Sequence, residues 1–326
     1  MLFFNRWRLP LLFFISGAGV CFSLRRRTGP QFIRDRLRRL LIPLAFGMFV
    51  IVPPQVYVER VLAGWQYASY WDFWGTVFQM VPYPEGNLTW HHLWFLPYIL
   101  VYSLLVLPLS AVLRSAAGRA FSNGPVRLCE RPGVIYLVNI PNIVVAVILG
   151  PRWPVTHDLT SDWANFTGSL LTFLWGFLIC GNERFLDLIE RRRREFLFVA
   201  LGMIVVFYSI RVPQVLDGAS RYQRLWISTV TDAYLGMAMI FTLVGWSRAL
   251  LNHDSPILRY ANTAVYPFYI VHQTITILLG YAWLGWDVPF AVKFPLLFTG
   301  TLLGSWLIYE VVRRNRVSRL LFGMKP

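Results

Sequence analysis

The residues able to do chemistry are few and gather at four places along the chain. Tyr266, Tyr269, His272 and Gln273 follow one another at spacings of three and four, which puts them along one stripe of a helix. That stripe lies inside an apolar run, where ionisable groups are costly and mark either a functional site or a paired structural one. His272, near the middle of the run, reads as a histidine hydrogen-bonded to a neighbouring helix or as a catalytic or substrate-binding group. His91 and His92 open a second apolar run in the string WHHLWFL, where Trp and His anchor an interface or serve a site. Arg34, Arg36, Arg38 and Arg39 lead into a third run. They read as positive-inside anchors or as a grip on an anionic cytosolic donor, since guanidinium binds phosphate bidentately and keeps its charge. Glu310 precedes Arg313 and Arg314 by three and four residues, the geometry of an intrahelical ion pair.

Proton transfer by histidine and anion binding by arginine are the chemistries this set supports. No Walker loop, GxGxxG, HExxH, CxxC or GxSxG string occurs, which argues against nucleotide hydrolysis, zinc proteolysis and serine hydrolase chemistry. Cys21, Cys129 and Cys180 match no disulfide or zinc spacing, and no metal site is expected. Acidic groups inside the apolar runs are too sparse for a proton-coupled pump.

The elements that carry these residues are set by composition. The chain has 326 residues, 56% hydrophobic and only 14% charged, with a mean hydropathy of +0.51. A soluble domain carries roughly 25% charged residues, and uninterrupted apolar runs between short charged loops suit a bilayer core about 30 Å thick. Apolar stretches at 9–24, 40–58, 92–113, 132–150, 166–183, 196–212, 227–250, 262–284 and 290–312 predict an all-α bundle of about nine membrane-spanning helices, with no soluble domain and no repeat. Internal prolines such as Pro43, Pro53, Pro108, Pro267 and Pro295 are compatible with membrane helices.

The net charge of +15 is nearly all arginine and sits in clusters between apolar runs rather than on one basic face. It therefore reads as a topology signal and not as nucleic-acid binding. The segment between the first two helices, RRRTGPQFIRDRLRR, holds seven arginines, whereas 59–91 has only Arg60. Arg114, Arg119, Arg127 and Arg131 follow, then Arg152 alone, then Arg184 and Arg191 to Arg194. The contrast weakens after that, with Arg211, Arg221 and Arg224 in 211–226 against Arg259 alone in 251–261, and the count as a whole places the Arg-rich loops and the C-terminus in the cytoplasm. Nine spans then put Arg6 and Arg8 on the opposite side, a conflict that a further helix ahead of residue 1 would remove. No cleaved signal peptide is expected at the N-terminus.

Taken in order, RWRLPLLFFISG at 6–17, Phe32, Arg36, Arg39 and Pro43 as F-x3-R-x2-R-x3-P, HLWFL at 92–96, NTAVYPFYIVHQ at 262–273 and WLIYEVVRR at 306–314 resemble the acyltransferase 3 integral membrane family. The branch most resembled is that of glucan biosynthesis protein C, over essentially the whole chain, read as one domain across 1–326. The resemblance implies transfer of an acyl group, acetyl or succinyl, from a cytosolic acyl-CoA donor to a hydroxyl on a carbohydrate, glucan or other envelope acceptor, in a multi-pass protein of the bacterial inner membrane. It assigns Arg36 and Arg39 to the donor; within this chain His272 and His92 are the substitutes for a catalytic base, with Tyr266, Tyr269, Gln273, Asn262 and Glu310 as candidates for the acceptor or for hydrogen bonding. No permanently bound cofactor is implied, and oligomeric state is left open. Members of that family begin with one further helix carrying an Arg and then a His that is the favoured general base, and that helix is not present here. Two rival readings follow, a transporter or flippase for a lipid-linked or acylated molecule, and an inactive truncated homologue.

Overall fold

The computed structural model describes residues 2–115 and 124–325, so Arg119 lies outside them. In chain order the main helices are α1 (Phe3–Arg25), α2 (Gly29–Leu62), α3 (Tyr70–Val77), α4 (Phe95–Arg114), α5 (Ile140–Leu149), α6 (Trp163–Ile179), α7 (Glu183–Arg191), α8 (Arg193–Ser209), α9 (Arg221–Leu251), α10 (Pro256–Ala282), α11 (Phe290–Val312) and α12 (Arg316–Leu321). Among the described residues no strand forms, and one isolated bridge joins Pro82 and Leu88. Local chemistry starts several of these helices. Ser220 and Gln223 form a reciprocal capping box at α9, Pro256 occupies the first turn of α10, and the Ser69 hydroxyl accepts the Asp72 N–H at α3.

Each of the nine expected apolar stretches carries helix. Among the described residues, however, five helices are long and apolar enough to cross a membrane, or six if α6 and α7, bent by 98° at their junction, form one span. The number is lower than nine for three local reasons. The Val134–Leu149 segment is short and starts as a 3-10 turn, α8 has 17 residues, and α10 is diluted by the polar residues of its own stripe. A second difference concerns the arginines before Pro43. They do not lie in a loop, because α2 begins at Gly29 and carries Arg34 to Arg39 on helix, with Phe32 fully buried. The membrane assignment itself is carried by helices such as α11, apolar between Lys293 and Glu310 yet with only 6% of its apolar stretch buried in protein. Such a helix needs lipid around it, and the chain is an all-α integral membrane protein.

Two compact units can be distinguished within the chain. The first comprises Met1–Phe32 and Val101–His253, and the second Ile33–Leu100 and Asp254–Pro326. In the first unit α1 crosses α6 at a pair of glycines. A Cβ on Gly17 would collide with the Phe173 carbonyl and one on Gly176 with the Phe14 carbonyl, so only glycine permits this approach. Phe14, Ile179, Phe196 and Phe241 fill the core beside it.

In the second unit the decisive element is α2, whose prolines strip backbone carbonyls of their helical donors. Pro43 lacks the N–H that an α-helix would direct at the Arg39 carbonyl, and Leu37–Leu41 winds as a π-turn. The Tyr266 hydroxyl on α10 donates to that carbonyl instead, at 2.8 Å. Pro53 and Pro54 leave the Phe49 carbonyl in the same state, and the Trp74 indole N–H supplies it at 2.7 Å. The Gln55 N–H bonds to Val52, and the Ile51 carbonyl accepts from the Thr274 hydroxyl at 2.8 Å. An unsatisfied carbonyl in a membrane interior costs several kcal/mol, so these three side chains fix how α10 and α3 lie on α2.

Candidate functional site

The second unit gathers all of the expected site residues except Glu310 along one side of α10. At one end is a cavity of about 370 Å3 whose lining includes Arg36, Arg39, Asn262 and Tyr266, with Arg319 and Lys325 from the C-terminal segment. Among the described residues four cations and no carboxylate line it, which suits a polyanionic ligand. Arg36 and Arg39 are half-buried there, whereas Arg34 and Arg38 are exposed, as their helical spacing requires. The C-terminal turn closes on this cavity because residue 323 is glycine. Gly323 adopts φ +65°, and a Cβ on it would strike the Tyr266 ring and lie 2.7 Å from the Arg39 carbonyl oxygen.

From Tyr266 the stripe continues for about 9 Å along the helix to His272. The Tyr266 and Tyr269 rings stack with centroids 6.4 Å apart, and Tyr269 lies 6.1 Å from the His272 ring. Neither phenol is spare, since Tyr269 donates to the His92 carbonyl at 2.6 Å as Tyr266 does to that of Arg39. Both hydroxyls hold backbone in place.

The two histidines stand edge to face at 5.6 Å, and their partners distinguish them. His92 Nε2 is 2.9 Å from the Ile270 carbonyl, which can only accept, so this nitrogen carries the proton. Its Nδ1 then accepts from the Gln55 amide at 3.2 Å, and both ring nitrogens are engaged. His272 is the converse. Its Nδ1 faces the Tyr269 carbonyl at 2.8 Å and that of Phe268 at 3.2 Å, so Nδ1 is the donor. Nε2 keeps its lone pair, with no hydrogen-bond partner among the described residues. A half-buried imidazole oriented through Nδ1, with Nε2 open, has the form of a general base.

Gln55 ties this network together. It is buried, and its amide also donates to the Thr274 hydroxyl at 2.6 Å and accepts from Gln273 at 3.3 Å. His91, adjacent to His92 in sequence, points elsewhere, with Nε2 3.6 Å from Glu59. Glu310 stays apart from the histidines. It forms the expected pair with Arg313 at 2.8 Å and accepts from the Tyr260 hydroxyl at 2.6 Å. Among the described residues no three metal-ligating side chains converge.

Several residues that build the site were missed in the sequence. Gln55 looks like one polar residue at the end of an apolar run, and Thr274 like a spacer. Arg319 and Lys325 read as tail charge. The available signals were Gly323 directly after a short basic helix and the prolines of α2, which imply freed carbonyls in search of donors.

No curated protein and no solved structure matches the chain. The family model for the Acyltransferase domain (Acyl_transf_3) matches residues 1–310. That match takes in the Arg36/Arg39 face, both histidines and the whole of the α10 stripe, and the chain belongs to the Acyltransferase domain family.

Proposed function

We propose that the chain is an O-acyltransferase taking an acyl group, acetyl or succinyl, from acyl-CoA to a hydroxyl of a carbohydrate or other envelope acceptor. The observation that carries this reading is the cavity lined by Arg36, Arg39, Arg319 and Lys325 at one end of α10, with the open Nε2 of His272 farther along the same helix. CoA phosphates match the four cations. The acceptor hydroxyl gives its proton to His272 Nε2 as its oxygen attacks the thioester carbonyl. The C–S bond breaks as the ester C–O bond forms, and the departing thiolate takes the proton from His272. Gln273 uses one amide N–H on Gln55, and its other N–H serves the developing oxyanion. His92 is a positioning residue that holds Gln55 and the Ile270 carbonyl. The Arg-rich loops and the C-terminus belong on the cytoplasmic side of a bacterial inner membrane, where the donor resides. A glucan acceptor follows from the resemblance to the glucan biosynthesis protein C branch.

The test pairs two variants in membranes supplied with acyl-CoA and a glucan acceptor. Arg36→Ala with Arg39→Ala should raise the donor KM by about 10- to 100-fold with insertion unchanged. His272→Gln should lower kcat by about 100-fold or more while donor binding persists. Unaltered transfer kinetics in the double arginine variant would remove the donor assignment, and an active His272→Gln protein would remove the base.

A further inference from the structure

The first unit contains a second polar site that acyl transfer does not use. Asp232, near the middle of α9, receives Arg6 at 3.2 Å and Arg211 at 2.9 Å, a triad with one positive charge in excess. Beside the triad is a cavity of about 90 Å3, room for several water molecules, walled by Phe14, Trp175, Met237 and Phe241 and reached by Arg6 and Asn139. A cleft of about 280 Å3 shares Arg6, Asn142 and Asp232 with it.

Two buried donors at this cavity have no partner among the described residues. Asn139 is 7% exposed, and its Nδ2 has no partner; the buried Nε of Arg6 has none either. Two acceptors nearby are already used. Asp232 is shared by the two arginines, and the Asn142 carbonyl oxygen accepts from the Trp175 indole at 3.1 Å. Two orphaned donors beside a net positive charge suit a ligand that accepts hydrogen bonds and carries negative charge. The surrounding apolar wall suits a chain attached to it.

We propose that this cavity binds an oxyanion head group, carboxylate or phosphate, through Arg6 Nε and Asn139 Nδ2. The test uses the full chain in nanodiscs of zwitterionic lipid, titrated with dodecyl phosphate, dodecyl maltoside and inorganic phosphate. Dodecyl phosphate should bind at least about 10-fold more tightly than the neutral maltoside. Asn139→Asp, which puts a carboxylate against the anion, and Arg6→Lys, which keeps the charge on Asp232 but removes the Nε donor, should each weaken it by about 10-fold or more. Competition by inorganic phosphate at similar affinity identifies a free anion as the ligand, and its failure to compete identifies an anionic amphiphile. Equal binding of phosphate and maltoside detergents overturns the proposal, as does unchanged affinity in both variants. If one variant fails to insert, the other decides.

Discussion

Replacing Gly323 by Ala tests whether the C-terminal turn closes the donor cavity. The added Cβ would sit 2.7 Å from the Arg39 carbonyl oxygen, where ordinary contact begins at 3.4 Å, and closer still to the Tyr266 ring. Relief requires a shift of about 1 Å in Tyr266 or in the 322–325 turn, in a close-packed interior that does not yield gradually. Moving Tyr266 loses the hydrogen bond to the Arg39 carbonyl, worth about 1–3 kcal/mol because the carbonyl is then left unsatisfied. Moving the turn withdraws Lys325 from the cavity, and a lost charged contact of about 1.5–3 kcal/mol corresponds to about a 10- to 100-fold rise in donor KM. Gly64 supplies the control. It also has a left-handed backbone, φ +91°, but a Cβ there meets nothing within 4 Å, so Gly64→Ala carries the backbone strain of about 1 kcal/mol alone. Steady-state transfer kinetics against acyl-CoA, with thermal unfolding of both variants in parallel, separate the two effects. If Gly323→Ala and Gly64→Ala have the same donor KM within twofold, the C-terminal turn is not part of the donor site.

Two further outcomes follow from the same geometry. Pro43→Ala restores an N–H that can reach the Arg39 carbonyl, so the Tyr266 hydroxyl becomes redundant there; a double-mutant cycle of Pro43→Ala with Tyr266→Phe should show a coupling of about 1 kcal/mol in thermal unfolding, and additive effects would show that the proline does not create the need. In the 153–162 loop the Thr160 N–H, then the Thr160 and Ser161 hydroxyls, against a desolvation penalty, hold the Asp158 carboxyl below its ordinary value. A lowered folded value contributes stability that is present above the unfolded pKa of about 3.9 and is lost as pH falls through the folded one. Acid unfolding monitored between pH 6 and 2 should therefore be shallower in Asp158→Asn, and identical profiles would count against the loop bonds.

Much of this protein is written locally. Apolar runs of helix length between arginine clusters predict helices and a bilayer, because lipid leaves the backbone no other way to satisfy itself. The three- and four-residue spacings of Tyr266, Tyr269, His272 and Gln273 predict one stripe, because side-chain direction on a helix follows from position alone. The same periodicity separates Arg36 and Arg39 from Arg34 and Arg38. How many runs cross the membrane was less legible, since a polar stripe lowers the mean hydropathy of α10 and a 98° bend breaks an apolar run into two helices.

Tertiary structure decided which histidine is open. His92 and His272 are equivalent as letters, and only the carbonyls of Ile270 and Tyr269 and the amide of Gln55 assign their protons. It also recruited Gln55, Thr274 and Gly323, whose partners lie far away in the chain, 227 residues in the case of Tyr266 and Arg39. A proline announces in sequence that a carbonyl has lost its donor. Which distant hydroxyl replaces it depends on packing, which local periodicity does not encode.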